Sequence, residues 1–189
     1  MKIAFIVFDN MTSLDFVGAY DPITRIHSMG FDCDFTWDIC ALTPTVTDDR
    51  GLVIVVDCVG QTLSNYDVLY VPGGPGAVVL HTDQTFIDWL RTAKLVPLKV
   101  SVCSGALLLA AAQFLEGRSV ATHVEVTEML SDLGVDVVTE RIIEDKNVVT
   151  AAGVTSAIDL GLYLVEKFKG TEVRDKIALQ MDYPYKLHE

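Results

Sequence analysis

A cysteine stands where a buried strand runs into an apolar helix, in Val100-Ser101-Val102-Cys103-Ser104-Gly105-Ala106-Leu107-Leu108. Strand, sharp turn and helix in that order make a nucleophile elbow. Gly105 allows close approach of strand and helix, although Ser101 stands where such turns usually carry glycine. At a helix N-terminus the free N–H groups and the dipole favour thiolate over thiol. The same amides can stabilise an anion that develops on a substrate. A buried structural cysteine ahead of an apolar helix fits the same letters equally well.

Three further segments carry chemistry-bearing residues. Pro72-Gly73-Gly74-Pro75-Gly76 follows an apolar strand and lets backbone approach a ligand closely. A tight turn is the plainer reading, and a phosphate loop is disfavoured because no Gly-Lys-Ser/Thr follows. Asp15 lies among Leu14, Phe16 and Val17, where burial would raise its pKa into a useful acid/base range. A helix N-cap is the plainer role for it. His123, in Ala121-Thr122-His123, needs a chain path back to the elbow before it can act with Cys103. His27, His81 and His188 have no informative setting.

The patterns that must position these residues alternate between strand and helix. Strands are expected at residues 2–8, 32–41, 67–71, 98–102, 135–138 and 141–151, the last turning at Asp145-Lys146-Asn147. Residues 45–59 contain a strand or a hairpin turned at Asp49-Arg50-Gly51. Helices are expected at 16–29, 84–95, 105–115, 124–133, 155–168 and 171–181. Buried strands between helices imply an α/β domain with a mostly parallel sheet covered on both faces. Ligands in such folds gather at the carboxyl ends of the strands, which selects the loops at 9–15, 72–76, 103–105 and 152–155.

Composition bounds the rest. The 189 residues are 50% hydrophobic, which fits one domain with a real core. Apolar runs are too short to span a membrane, and nothing at the start of the chain reads as a signal peptide, so a cytoplasmic location is expected. The formal net charge of −12 argues against nucleic acid and anionic lipid as partners. Cys33, Cys40, Cys58 and Cys103 show no metal-ligand spacing. The first three sit in strand-like segments and read as small buried hydrophobes. No disulfide is expected in a reducing compartment.

Taken together these segments resemble the ThiJ/PfpI superfamily of class I glutamine-amidotransferase-like, flavodoxin-type domains, over nearly the whole chain. The resemblance rests on Pro72-Gly73-Gly74-Pro75-Gly76, Ser101-Val102-Cys103-Ser104-Gly105, Ala121-Thr122-His123 and Gly153-Val154-Thr155-Ser156-Ala157-Ile158-Asp159. Within it, Leu14-Asp15-Phe16-Val17-Gly18, with Asp where many relatives carry Glu, is similar to the isonitrile (isocyanide) hydratase branch. So is the elbow, with Ser104 in place of Thr. Ser104 also occupies the position where protease-like members carry His, which removes a peptidase's adjacent base. The order Gly18-Ala19-Tyr20-Asp21-Pro22 departs from the family, and Pro22 is expected to kink the first helix or start it late. The chain ends soon after Tyr183-Pro184-Tyr185, earlier than in longer hydratases.

The resemblance implies a flavodoxin-like three-layer sandwich, a Cys103 nucleophile and Asp15 as acid/base. It further implies a polar cradle from the amides of Gly74 and Ser104, His123 near the site, and a pocket touching Gly73, Val154, Thr155 and Tyr183. It implies a small-molecule substrate, a homodimer, and neither metal nor organic cofactor. Other readings stay open: a glyoxalase- or deglycase-like enzyme on α-oxoaldehydes, a cysteine redox sensor, or the sensing domain of a transcriptional regulator.

Overall fold

The computed structural model describes residues 1–184; Tyr185 and His188 lie outside them. β1 (Lys2–Ile6) leads into α1 (Ser13–Ser28), and β2 (Thr36–Ala41) returns beside β1. β3 (Thr45–Thr47) and β4 (Val53–Val55) form a separate antiparallel hairpin, and β5 (Cys58–Val59) is a short strand on β2. Then come β6 (Val68–Val71), α2 (Pro75–Leu80), α3 (Gln84–Arg91), β7 (Leu98–Val102) and α4 (Gly105–Ala111). β8 (Ser119–Val120) pairs with β9 (Asp136–Val137) across a 3-10 turn, Val124–Val126, and α5 (Thr127–Asp132). β10 (Ile142–Asp145) and β11 (Val148–Ala151) form a hairpin, followed by α6 (Ser156–Lys169) and α7 (Thr171–Gln180).

The main sheet runs β10-β11-β7-β6-β1-β2-β5 and is parallel throughout except at the β10–β11 pair. Every residue of β6, β7 and β11 is buried, so both faces of the sheet centre are covered. The apolar run of β6 demands cover on both faces, and the polar Lys99 and Ser101 of β7 and Thr150 of β11 are buried with it beneath the two helical layers. One layer packs α1 against α6 and α6 against α7, and another packs α2 against α4. This is the flavodoxin-like three-layer sandwich.

The chain leaves β1 towards β2 on one side and later places β6 on the other. The sheet's switch point therefore lies between β1 and β6, where this architecture opens a crevice. The four loops picked from sequence follow β1, β6, β7 and β11, which are neighbours in the sheet.

Several elements differ from the sequence reading. Helix α1 begins at Ser13, three residues earlier than expected, and runs through Pro22 without a late start. The ring of Pro22 fits because α6 offers Gly161 opposite it: a Cβ there would stand 2.4 Å from Pro22 Cγ. One turn away the roles reverse, with Gly18 of α1 facing Ala157 of α6. The two helices cross on small residues, and the missing Pro22 N–H is tolerated at that crossing. Helix α2 is new, starting with Pro75 at its first position, where proline's fixed φ and absent N–H cost nothing. The helix expected over 124–133 is instead a 3-10 turn followed by α5, since β-branched Val124, Val126 and Thr127 resist a regular α start. Cys33 is exposed, before β2 begins, rather than buried in a strand.

Candidate active site

Cys103 sits between β7 and α4 with φ of +56°, a left-handed conformation that costs an L-residue roughly 1–2 kcal/mol. Its N–H is shared between the carbonyls of Ala151 (3.1 Å) and Ala152 (2.8 Å) at the end of β11. Its own carbonyl accepts from Thr122 Oγ1 at 2.8 Å. The end of β11 and the loop after β8 thus hold the strained turn. Gly105 completes it: a Cβ there would come within 2.4 Å of the Val71 carbonyl.

Asp15 occupies the third position of α1 and is fully buried, so it is not the N-cap; Thr12 holds that position. Its Oδ2 accepts from the Gly73 amide at 3.1 Å, and its carbonyl accepts from the buried Tyr70 hydroxyl at 2.6 Å. Its Oδ1 has no formed hydrogen bond. The Cys103 thiol lies against the carboxyl in a contact looser than a full hydrogen bond. Burial raises the Asp15 pKa from 3.8 to about 6, against the lowering effect of the thiol and of Gly73 N–H, with Asp49 adding repulsion.

The expectation that the helix N-terminus favours thiolate is not met. Burial, followed by the charge of Asp15, pushes the Cys103 thiol up to about 12. The backbone and hydroxyl of Ser104 pull the other way and lose. At neutral pH the resting pair is a neutral thiol beside a carboxylate. That is the arrangement of a nucleophile waiting for a base, and it is unlike a low-pKa sensor cysteine.

The loop from β6 is locked into this corner. A Cβ on Gly73 would meet Ser104 N at 2.6 Å and Cys103 Cβ at 2.9 Å. Gly74, with φ of +124°, lies 2.4 Å (measured from an added Cβ) from Thr12 N. Thr12 N donates to Gly73 O at 2.9 Å, and Gly76 N donates to Asn10 O at 2.9 Å. The expected cradle of two free amides is therefore corrected. Ser104 faces the sulfur through its amide and hydroxyl, but Gly74 N–H already donates to Ser104 Oγ at 2.9 Å. Ser104 Oγ in turn donates to Gly74 O at 3.1 Å.

The other sequence candidates fall outside this core. His123 caps the following turn, its Nδ1 accepting from Glu125 N at 3.3 Å, while its ring packs on Gly153. Among the described residues no hydrogen bond or charge interaction joins it to Cys103 or Asp15. Thr155 is exposed and Val154 is half-buried against the core. Tyr183 donates its hydroxyl to Asp159, which also binds Arg141. Sequence reasoning missed Tyr70, Thr122 and Asp49. Tyr70 carried a signal, being the one polar tip in the apolar strand Val68-Leu69-Tyr70-Val71. A cavity of about 350 Å³ borders the same loops, lined by Phe8, Asn10, Leu42, Pro75, Gly76 and Phe86 among others, but neither Cys103 nor Asp15 lines it. Among the described residues no cluster of side chains has the makings of a metal site, and no helix is long and apolar enough to cross a membrane.

Comparison with known proteins agrees with this architecture. The DJ-1/PfpI family model matches residues 1–167. The chain is 31% identical to an isonitrile hydratase from Pseudomonas putida, over 97% of this chain and 78% of that protein. It is 27% identical to the glutathione-independent glyoxalase DJR-1.2 of Caenorhabditis elegans, over 69% of this chain and 71% of that protein. A crystal structure of a ThiJ/PfpI family protein from Pseudomonas syringae superposes with a TM-score of 0.88 at 29% identity, covering 98% of this chain and 76% of that one. An α/β sandwich with a strained cysteine at the carboxyl end of β7, matched over residues 1–167 by the family model, is a member of the DJ-1/PfpI family.

Proposed function

We propose that the protein is a cysteine-dependent hydratase that converts an isocyanide to an N-substituted formamide. The observation that carries the reading is the Asp15–Cys103 pair: a buried carboxylate with a pKa of about 6 against a thiol held neutral. An isocyanide's terminal carbon accepts a nucleophile and a proton at one atom, which is what such a pair can deliver.

In this mechanism Asp15 takes the thiol proton as Cys103 Sγ bonds to the terminal carbon. Asp15 then gives that proton to the same carbon, leaving a thioimidate on sulfur. Water, deprotonated by Asp15, adds to the carbon. The C–S bond breaks, the nitrogen keeps one water proton, the sulfur regains the other, and the formamide leaves. The Ser104 amide, facing the sulfur, holds the attacking thiolate and the returning one, while the hydroxyl's proton stays on Gly74 O. Similarity to the isonitrile hydratase supports this substrate class.

The test supplies a simple alkyl isocyanide and follows formamide. Turnover by the wild type, with none by Cys103→Ala and a loss of at least about 100-fold in Asp15→Asn, is expected. Absence of wild-type turnover, or full turnover by Cys103→Ala, overturns the proposal. Similarity to the glyoxalase supports a second reading, hydration and internal redox of an α-oxoaldehyde by the same pair. Consumption of methylglyoxal without formamide formation selects it.

We further propose a homodimer. Leu14 and Val17 on α1 are exposed beside Leu52, Val53 and Val55 of the β3–β4 hairpin. Ser13 Oγ donates to Asp48 Oδ2 at 2.5 Å and ties the two elements together. An apolar face of this kind suits a second copy of the chain. Light scattering after chromatography should give twice the chain mass, and Val55→Asp should return the monomer.

A further inference from the structure

A second cysteine centre lies away from Cys103, at the edge of the sheet. Cys40 on β2 and Cys58 on β5 are register partners across a parallel pair, so their side chains leave the sheet on the same face. Their sulfurs both approach one hydroxyl, Tyr66 Oη, at 3.5 Å from Cys40 and 3.8 Å from Cys58. The two thiols also contact each other. Tyr66 donates its single proton to Asp38 Oδ2 at 2.6 Å, and Lys2 Nζ stands 2.6 Å from the same oxygen. Asp38 additionally receives the Cys58 thiol. Cys40 is buried and Cys58 is half-buried.

We propose that Cys40 and Cys58 are a redox-active dithiol that a hydroperoxide converts to a reversible disulfide. Adjacent parallel strands run about 4.8 Å apart, inside the Cα separation of about 4.4–6.8 Å that a disulfide spans, so register partners on β2 and β5 start within bridging range. Cys58 is the first to react because it reaches solvent. Its proton passes to Asp38, and its sulfur attacks one peroxide oxygen. The O–O bond breaks, giving Cys58 sulfenic acid and an alcohol or water that takes up a proton. Cys40 sulfur then attacks the sulfenyl sulfur, the S–O bond breaks, and water leaves with the Cys40 proton. The peroxide gains two electrons and the thiol pair loses two. Asp38 takes the Cys58 proton directly, and the Tyr66 hydroxyl, turned to Asp38, presents a lone pair to the Cys40 thiol.

The experiment uses the full chain carrying Cys33→Ser and Cys103→Ala, so that only this pair remains. Hydrogen peroxide should lower its free thiols from two to none and its mass by two hydrogens, and dithiothreitol should restore both. Tryptic cleavage at Arg50, which lies between the two cysteines, should give one linked peptide pair without reductant. With Cys40→Ser added, Cys58 should be trapped by dimedone and then proceed to sulfinic acid, because its resolving partner is gone. Sulfenylated or sulfinylated Cys58 with no link to Cys40 in the chain that keeps both cysteines overturns the proposal. So does a link that forms only between chains.

Discussion

Asp15→Asn separates an electrostatic cost from a catalytic role. The Asp15 pKa rises from 3.8 to about 6 on folding. A carboxyl whose pKa is raised by folding favours the native state only while protonated. Its penalty is absent below 3.8 and complete above 6. At ~1.4 kcal/mol per pH unit, ionised Asp15 destabilises the folded protein by about 3 kcal/mol at pH 8. The side chain has no exposure, so solvent does not reduce this figure. Asparagine keeps an oxygen for the Gly73 N–H but turns a buried N–H₂ towards sulfur, a weak acceptor, at a cost of about 1 kcal/mol. Asp15→Asn should therefore be more stable than wild type by about 2 kcal/mol at pH 8, and less stable by about 1 kcal/mol near pH 3.5. Urea unfolding of both proteins at the two pH values measures the difference. A variant less stable at pH 8, or a difference that does not move with pH, refutes the account of Asp15 as a carboxylate held against its preference.

The same pKa sets activity: kcat/KM should fall about tenfold per pH unit below 6, as Asp15 protonates and can no longer take the thiol proton, and a flat profile through pH 5 excludes it as base. Ser104→Ala leaves Gly74 N–H and C=O without their partner and should cost about 1–3 kcal/mol by urea titration. Cys103→Gly should be more stable than Cys103→Ala by about 1 kcal/mol, because only glycine meets φ of +56° without strain. Gly161→Val drives a side chain into Pro22 and should cost at least about 2 kcal/mol, read as a fall in Tm.

What could be read from the letters follows a physical line. The apolar runs of β1 and β6 stated both their strand character and their burial, and the loops after the strands followed from the architecture; β7 alternates apolar residues with Lys99 and Ser101, and their burial is tertiary. Cys103 announced itself by standing where strand becomes helix. Asp15 was visible, but its setting was not. Nothing local shows that Ser13 opens the helix, or that Gly73, 58 residues away, donates to the carboxyl. Charge balance at Cys103 was misjudged for the same reason. The helix terminus is a local feature, while the burial and the facing carboxylate that outweigh it are tertiary. Pro22 looked like a break because its relief lies in another helix, at Gly161. Cys40 and Cys58 looked like separate hydrophobes, since a parallel register is invisible until the strands are paired. The Gly74 amide looked free because its competitor, the Ser104 hydroxyl, arrives from a different strand.

The pairing of Asp15 with Cys103 across β6 also has a kinetic side. The carboxyl follows β1 and the thiol follows β7, with β6 between them in the sheet. Neither meets the other until two long-range parallel pairings have closed, and such contacts are slow to form. A chain still collapsing therefore carries an ordinary, solvated cysteine and an ordinary aspartate. A burial cost that arises only once those pairings are made predicts that Asp15→Asn slows unfolding more than it speeds folding, which the two limbs of a chevron plot would show. The carboxylate–thiol pair is then a property of the finished molecule alone: only there does Cys103 lose its ordinary acidity and gain a facing base.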